Sequence, residues 1–332
     1  MADVEVVLGI DIGTSSTKGL LVTPEGQVVG AAQRPHQISL PRPGWAEADA
    51  EGTWWGDVRA ICEILTRAAP GPIIAVCISG VGPSLVLCNA DLQPLRPAIL
   101  YGIDTRATEE IDLITRRYGN EAILANAGKY LSSQALGPKL EWVRRHEPEV
   151  WRAACGWYGC HSFVAAKLTG EYVLDHHTAS QCDPLYRVPG FGWHQDWAKE
   201  ISERLPLPRL AWPGEVIGTV HQQAAQATGL AAGTPVVAGT IDAFAEAFSV
   251  GVRDPGDLMI MYGSTIFLIQ VLGDDYYVHP ALWTTAGVEA QTHLLTAGTA
   301  TAGSLTNWLR DLMGGPDFDT LKAEAAEVPL GS

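Results

Sequence analysis

The sequence predicts an α/β fold built in layers, and three observations carry this prediction. Apolar runs at residues 4–12, 17–22 and 28–32 are separated by short turn segments, which predicts an opening β-meander. Apolar residues at helical spacing over 51–68 then predict an amphipathic helix on that sheet, with Asp49 as its cap. Strand and helix patterns keep alternating through the rest of the 332 residues.

The middle of the sequence follows the same alternation. Strands are predicted at 73–79 and 85–89, and helices at 106–118, 139–146 and 197–203. Alternating strands and helices of this kind are typical of a sheet covered by helical layers.

A second set of signals begins near residue 229, where small residues become frequent. A strand is predicted at 235–238 and a helix at 243–250, and residues 258–269 then read as strand, Gly-Ser-Thr turn, strand. This hairpin repeats the pattern of the opening one. Two such hairpins predict two related halves that face each other across a cleft.

The charge balance indicates which partners the protein binds. Apolar residues make up 47% of the chain, which is enough for sizeable cores. The net charge is −15, so the surface is acidic. An acidic surface repels the phosphate backbone of nucleic acids and anionic membranes. We therefore expect small molecules as partners, and neither a nucleic acid nor a membrane.

The N-terminus and the cysteines indicate the compartment. The first residues lack the basic and apolar segments of a signal peptide, and no apolar run is long enough to span a membrane. Six scattered cysteines include no Cys-x-x-Cys pair, which favours reduced, buried thiols over disulfides or a zinc site. We expect a cytoplasmic protein.

The opening turn combines residue types that suit a phosphate chain. Asp11 lies in an apolar strand, where an unpaired buried carboxylate is costly, and residues 13–16 form a Gly-Thr-Ser-Ser turn before Lys18. The Walker and dinucleotide motifs both need a helix after the turn, and neither glycine pattern is present. A Gly-hydroxyl turn can approach a phosphate through its amides, while Asp11 holds a hydrated magnesium ion. An ordinary hairpin turn is the alternative for each turn taken singly.

Asp242 has two interpretations. It stands directly before a predicted helix, so it could simply cap that helix. It could also lie between the two halves and accept a proton from a hydroxyl that attacks a γ-phosphate. The two roles can coexist, because a helix N-terminus keeps an acid ionised.

Several segments occur in the order seen in FGGY carbohydrate kinases, and the chain resembles that family from Val6 to about Met313. They are residues 11–18, 44–47, 94–101 with 104–106, 168–171, Gly239 with Asp242, and 263–265. The ordered set is far more specific than any one motif.

The resemblance implies an actin-like, ribonuclease H-like ATPase fold with two lobes, the second incomplete. Residues 1–238 would form the sugar-binding lobe with the first phosphate motif, and residues 239–332 the start of the second lobe. The implied activity is magnesium-dependent transfer of the γ-phosphate of ATP to a sugar or polyol hydroxyl, as with xylulose, ribulose or glycerol. A homodimer is a further expectation.

The resemblance also implies roles for individual residues. Asp11 would be the metal-associated acid and Asp242 the catalytic base, in contact with the substrate. The remaining residues fall into phosphate contacts and substrate contacts. The phosphate contacts would be Gly13, Thr14, Ser15, Lys18, Gly263, Ser264 and Thr265, and the further substrate contacts Gly80, Tyr101 and Asp104.

Three departures from the family pattern matter. Residues 81–83 are Val-Gly-Pro, where xylulose kinases carry Gln-Met-His and glycerol kinases an Arg-Glu pair nearby. Ala243 stands where the family often has Asn or Gln. The sequence stops at Ser332 without an adenosine-binding segment. We expect a fragment of a longer protein, with a natural truncation as the alternative, and weak ATP binding by this chain alone.

Other functions compete with a kinase. A non-catalytic sugar-binding or regulatory module would keep the first lobe and lack the adenosine site. A chaperone or filament protein of the same fold would share the hairpins but not the segments at 94–98 and 168–171. His176 and His177 near Cys182 and Asp183 match no metal-site spacing and are expected in a surface loop.

Overall fold

The computed structural model describes residues 4–263, 265–299 and 301–329. Its elements are numbered in chain order. The strands are β1 Val6–Ile12, β2 Ser16–Val22, β3 Val28–Pro35, β4 Glu47–Ala48, β5 Ile73–Gly80, β6 Val86–Cys88, β7 Ala98–Ile99, β8 Gly156–Tyr158, β9 Val173–Asp175, β10 Tyr186–Arg187, β11 Gly192–Trp193, β12 Arg209–Ala211, β13 Val216–Thr219, β14 Pro235–Val237, β15 Leu258–Tyr262, β16 Ile266–Gly273, β17 Trp283–Ala286 and β18 His293–Thr299. The α-helices are α1 Gly56–Ala68, α2 Thr108–Tyr118, α3 Asn120–Ala127, α4 Leu136–His146, α5 Pro148–Ala153, α6 Cys160–Thr169, α7 His176–Ala179, α8 Gln195–Ser202, α9 Gln222–Thr228, α10 Asp242–Ser249, α11 Gly303–Leu312 and α12 Phe318–Ala326.

A six-stranded sheet organises the first part of the chain, in the order β13-β14-β5-β1-β2-β3. Strands β1, β2 and β3 pair antiparallel, which confirms the predicted meander, while β5 pairs parallel with β1 and with β14. The parallel centre brings the carboxyl ends of β1 and β5 to the same edge. Functional residues are expected at that edge of an open α/β sheet.

Helix α1 covers one face of this sheet, as the sequence predicts. It follows a short π-helical turn, Ala50–Trp55, and the Asp49 side chain accepts a hydrogen bond from the Gly52 amide, so the predicted cap is confirmed. The helix packs very close to β2 at Gly19, where a Cβ atom would lie 2.4 Å from Ile61 Cγ2. Only glycine permits this approach.

The second sheet has four antiparallel strands in the order β15-β16-β18-β17. The predicted second hairpin is confirmed, because Tyr262 pairs with Ile266 across the turn. Helix α10 joins the two sheets and packs its Phe244 and Ala247 against the second one. Apolar side chains are exposed on β15 and α11, where Ile260 and Trp308 are each 59% exposed.

The expectation of a surface loop at the two histidines is wrong. His176 and His177 belong to helix α7, which Asp175 caps by accepting from the Thr178 amide. His177 is fully buried, because the second sheet covers it and its Nδ1 atom lies 2.7 Å from the Ala286 carbonyl oxygen.

The six cysteines all lie in the described ranges and are free thiols; Cys155 is exposed and the others are buried or half-buried. Among the helices of the described residues, none has the length and apolar character needed to cross a membrane.

Candidate active site

A cavity of about 700 Å³ lies where the edge of the first sheet meets the second sheet. Its walls come from the loop after β5, the segment after β7, the start of α10 and the inner face of the second sheet. The lining residues are 81–83, Tyr101, Ile103, Gln134, Gln181, 241–244, Met261, 265–267, Trp283, Gly298 and Thr299.

Asp242 reaches this cavity because the segment before it lies tightly against β5. The Gly80 amide donates to the Thr240 carbonyl oxygen at 3.3 Å, and Gly80 forms a parallel bridge with Ile241. A Cβ atom on Gly239 would lie 1.7 Å from the Ile78 carbonyl oxygen, so only glycine fits there. The backbone therefore fixes where α10 begins.

The carboxylate of Asp242 is not the N-cap of α10, because the helix begins at Asp242 itself and Ile241 is the cap residue. Its Oδ1 atom accepts from the neighbouring Ala243 amide at 2.8 Å. Among the described residues, no group bonds to Oδ2. The side chain is therefore free to face the cavity, with the helix N-terminus behind it.

The electrostatics of Asp242 suit a proton acceptor. Burial raises its pKa to about 6, against the effect of the Ala243 amide, and the charges of Asp11 and Glu246 add to the rise. The carboxylate is therefore mostly ionised at pH 7, yet basic enough to take a proton in a reaction.

A buried polar network lies directly behind Asp242. Thr240 Oγ1 donates to Asp175 Oδ1 at 2.8 Å, and Asp175 Oδ2 lies 2.8 Å from His161 Nε2. Burial favours a raised pKa for Asp175, but the hydrogen bond and charge of His161, with His177 and Thr178, lower it overall. The network ties the segment before α10 to helices α6 and α7.

Sequence reasoning missed this network. One signal was available, because Asp175 is an acid at the end of an apolar strand, Val-Leu-Asp. Its partners are 14 and 65 residues away along the chain, so only the tertiary fold brings them together.

The first hairpin places Asp11 beside the cavity. Asp11 Oδ1 accepts from Ser79 Oγ at 2.9 Å, and Lys18 is its cross-strand partner on β2. Lys18 is exposed. In the described part of the chain the second carboxylate oxygen of Asp11 has no hydrogen-bonding partner, so it remains available to a ligand.

The first turn offers amides and hydroxyls, but not every predicted contact is free. The Gly13 amide donates to the Ser16 carbonyl oxygen at 2.9 Å and so closes the turn. The amides of Thr14 and Ser15 have no acceptor among the described residues. Thr14 Oγ1 lies 3.2 Å from the Tyr101 hydroxyl, which lines the cavity, so the turn and the cavity are adjacent.

The second turn closes in a similar way. The Gly263 amide donates to the Thr265 carbonyl oxygen at 2.9 Å, and Thr265 lines the cavity. Ser264 lies outside the described residues.

Gly80 and Asp104 do not line the cavity. Gly80 ends β5 and packs on Cys160 and Ile12. Asp104 is buried, with its oxygens engaged by the Arg106 guanidinium and by the Ala46 amide at 2.7 Å. The carboxylate is thus part of a buried ion pair.

Two glutamines that line the cavity were not found from the sequence. Gln134 accepts from the Gly102 amide at 3.1 Å through Oε1, and its NH₂ group has no acceptor in the part of the chain that the structure describes. Gln181 lines the cavity, and within the described ranges its side-chain amide has no hydrogen-bonding partner. Neither residue stands in a motif or a periodic pattern, so no sequence signal marked them.

The family model described as FGGY family of carbohydrate kinases, N-terminal domain, matches residues 6–249. The chain belongs to the FGGY family of carbohydrate kinases. The prediction from the ordered motifs is confirmed. Within this family, the chain spans about half the length of the curated relatives it matches.

Two curated relatives illustrate the similarity. The xylulose kinase of Escherichia coli (strain K12) is 30% identical over 267 residues, covering 78% of this chain and 52% of that protein. The L-xylulose/3-keto-L-gulonate kinase of the same strain is 29% identical over 340 residues, covering 97% of this chain and 66% of that protein.

Solved structures give the fold. The xylulose kinase from Rhodospirillum rubrum superposes with a TM-score of 0.90 at 31% identity, covering 98% of this chain and 68% of that chain. The Plasmodium falciparum glycerol kinase with ADP gives a TM-score of 0.83 at 21% identity, covering 93% and 64%, and shows the fold alone. The FGGY chain therefore has the predicted actin-like ATPase fold.

Proposed function

We propose that this chain supplies the catalytic base and phosphate-binding turns of an ATP-dependent kinase that phosphorylates a sugar or polyol hydroxyl. One observation carries the proposal: Asp242, a carboxylate with a pKa of about 6, lines a cavity beside Asp11 in an FGGY chain. The names of the relatives, xylulose kinase and L-xylulose/3-keto-L-gulonate kinase, support a carbohydrate acceptor.

In the proposed reaction, Asp242 accepts the proton of the substrate hydroxyl. That hydroxyl oxygen forms a bond to the γ-phosphorus while the bond from the γ-phosphorus to the bridging β-phosphate oxygen breaks. ADP leaves with the bonding electron pair, and the sugar keeps the phosphoryl group. The helix N-terminus behind Asp242 helps to keep the carboxylate ionised before the proton is transferred.

We propose that the two hairpin turns hold the phosphates. The amides of Thr14 and Ser15, which have no acceptor among the described residues, suit phosphate oxygens, and Lys18 adds a positive charge nearby. Gly13 contributes through its small size, because its own amide is engaged within the turn. Gly263, Ser264 and Thr265 would act in the same way from the second hairpin.

The residues present fit a magnesium ion that binds mainly through the phosphates. Mg²⁺ prefers oxygen ligands, keeps several waters and commonly uses only one or two protein carboxylates. Asp11 offers a carboxylate oxygen without a partner in the described structure, which meets that requirement. When bound, the ion neutralises charge on the phosphates.

Tyr101 is proposed as a substrate contact, since it lines the cavity beside Thr14. For Gly80 and Asp104 we propose indirect roles. Gly80 lets β5 pack against the segment before Asp242, and Asp104 holds the loop after Tyr101 through Arg106. The lobe boundary at residue 238, a homodimer and a cytoplasmic location remain predictions.

Sugar-dependent ADP release tests the proposal. The chain is incubated with millimolar magnesium and ATP and a panel of ketoses, aldoses and polyols, alongside Asp242→Asn and the control Glu25→Gln in the exposed turn between β2 and β3. We expect at least one acceptor to stimulate ADP release, the control to keep it and Asp242→Asn to lose it. The proposal would be contradicted if an acceptor still stimulated ADP release in Asp242→Asn, or if no acceptor stimulated ADP release by the natural chain. A sugar-binding module without catalysis would give that last result, but the presence of both acids favours the kinase.

A further inference from the structure

We propose that the acceptor of this site is a deoxy sugar or a similarly hydroxyl-poor polyol. The inference rests on the proposed function, because it concerns the same cavity and the same reacting hydroxyl. It comes from which cavity walls can form hydrogen bonds and which cannot.

The wall beside Asp242 is apolar. The side chains of Val81, Pro83, Ala243 and Phe244 line it, and none carries a hydrogen-bonding group. A sugar carbon that lies against this wall cannot have a side-chain partner for its hydroxyl.

This wall is also fixed in place. A Cβ atom on Gly82 would lie 2.7 Å from Ile241 Cγ1, so the loop packs directly on the residue before Asp242. Phe244 is only 5% exposed, and its ring centroid lies 3.7 Å from that of His177. The loop and the ring therefore cannot withdraw to admit a new polar group without a loss of packing.

Aromatic rings extend the apolar surface across the cavity. Phe244 meets Phe267 edge to face at 6.1 Å between centroids, and Phe267 lies 6.5 Å from Trp283. Ile103 adds an exposed aliphatic side chain to the same cavity. Together these side chains form a surface that suits methyl and methylene groups.

The polar side chains stand elsewhere in the lining. Gln134 offers its NH₂ group, Gln181 its amide and Tyr101 its hydroxyl, and Thr265 and Thr299 add hydroxyls from the second sheet. With Asp242 for the reacting hydroxyl, these groups can bind several substrate oxygens. None of them stands on the wall beside Asp242, so a hydroxyl directed at that wall has no side-chain partner.

The energetic consequence follows from desolvation. A hydroxyl buried against the apolar wall loses its water partners and gains none, which is costly, whereas a methyl or methylene group gains from burial. We expect removal of the hydroxyl that faces this wall to tighten binding by about tenfold.

Calorimetric titration of the 332-residue chain with matched pairs of sugars tests the inference. The pairs are a pentulose with its 1-deoxy and 5-deoxy analogues, and a hexulose with its 6-deoxy analogue. We expect at least one deoxy member to bind about tenfold more tightly than its parent.

Variants make the test specific to the wall. Ala243→Asn adds an amide beside Asp242 and is expected to reduce or reverse the deoxy preference, whereas Ala245→Asn on the same helix, outside the lining, leaves it unchanged. Ile103→Gln places an amide at a position that is 44% exposed, so folding should be preserved, and it should act in the same direction as Ala243→Asn.

The outcomes separate this inference from the proposed function. If every parent sugar binds at least as tightly as its deoxy analogues, the deoxy preference is wrong and the kinase proposal stands. If no sugar binds and none stimulates ADP release, both are wrong. A deoxy preference that Ala243→Asn and Ile103→Gln both leave unchanged would also overturn the inference, because the apolar wall would then not be the source of the preference.

Discussion

The charge of Asp11, on the first hairpin, helps to raise the pKa of Asp242, at the start of α10. The two carboxylates therefore interact within one site, although they come from distant parts of the sequence. This relationship between the end of β1 and the start of α10 is the basis of the proposed phosphoryl-transfer site.

Asp242→Asn is expected to stabilise the fold at neutral pH. The folded-state pKa of about 6 lies above the ordinary value of 3.8, so the native state binds the proton more tightly than the unfolded state does. Ionised Asp242 thus lowers stability above pH 6, and this cost disappears as the pH falls below about 4. We expect a gain of about 1–2 kcal/mol at pH 7 and none at pH 4, after allowance for partial exposure.

Urea unfolding at both pH values, in magnesium-free buffer, measures this difference. The same gain at pH 4 and pH 7, or a loss at pH 7, would show that the Asp242 carboxylate carries no burial cost. Glu25→Gln, at an exposed position in the turn between β2 and β3, serves as the control and should change stability little.

Gly239→Ala is expected to damage both the fold and the site. Its Cβ atom would collide with the Ile78 carbonyl oxygen, a backbone group that cannot rotate away. We expect a loss of more than about 2 kcal/mol in unfolding free energy and a loss of acceptor binding, because the segment leading to Asp242 must shift. Gly9→Ala is the matched control, since no atom lies within 4 Å of its Cβ position. Equal stability of the two variants in thermal unfolding would refute the close approach of Gly239 to the Ile78 carbonyl oxygen.

Asp175→Ala is expected to destabilise the protein by about 3 kcal/mol, because His161 and Thr240 lose a buried partner together. Asp49→Ala removes an exposed helix cap and should cost only about 1 kcal/mol. Chemical denaturation measures the loss of unfolding free energy in both variants. Similar losses would mean that the buried network stabilises the fold no more than a helix cap does.

Arg106→Met tests the role assigned to Asp104. The buried guanidinium bonds to Asp104 Oδ2 at 2.7 Å and to Glu47 Oε1 at 2.8 Å, and it stacks on the Trp45 ring. Its removal leaves two buried carboxylates without this partner, so we expect a loss of about 3–5 kcal/mol.

The control for this substitution is Arg152→Met, which breaks the exposed ion pair with Glu149 and should cost less than about 1 kcal/mol. Unfolding monitored by circular dichroism gives both values. A loss for Arg106→Met as small as that of the control would contradict a structural role for the ion pair.

The sequence was sufficient to predict the elements whose structure depends on neighbouring residues along the chain. The meander, helix α1 and the second hairpin follow from apolar spacing and turn residues, and Asp49 caps as expected. The ordered motifs also identified the FGGY family, because several short segments in fixed order are rarely matched by chance.

The sequence was insufficient to predict the site residues whose positions depend on contacts between distant parts of the chain. Asp104 stands in a motif that suggested a sugar contact, but Arg106 and the Ala46 amide engage it away from the cavity. Gln134 and Gln181 reach the cavity from segments without a motif. Nothing local in the sequence distinguishes a glutamine that lines a cavity from one on the surface.

Transfer of radiolabelled γ-phosphate from ATP to the best acceptor of the panel tests the central claim most directly. The account predicts label in the sugar with the natural chain, and a rate lower by about 10²–10⁴ in Asp242→Asn, the usual contribution of a general base. Label that enters the sugar at the same rate in both proteins, or that appears only as inorganic phosphate with the natural chain, would contradict the assignment of Asp242 as the base.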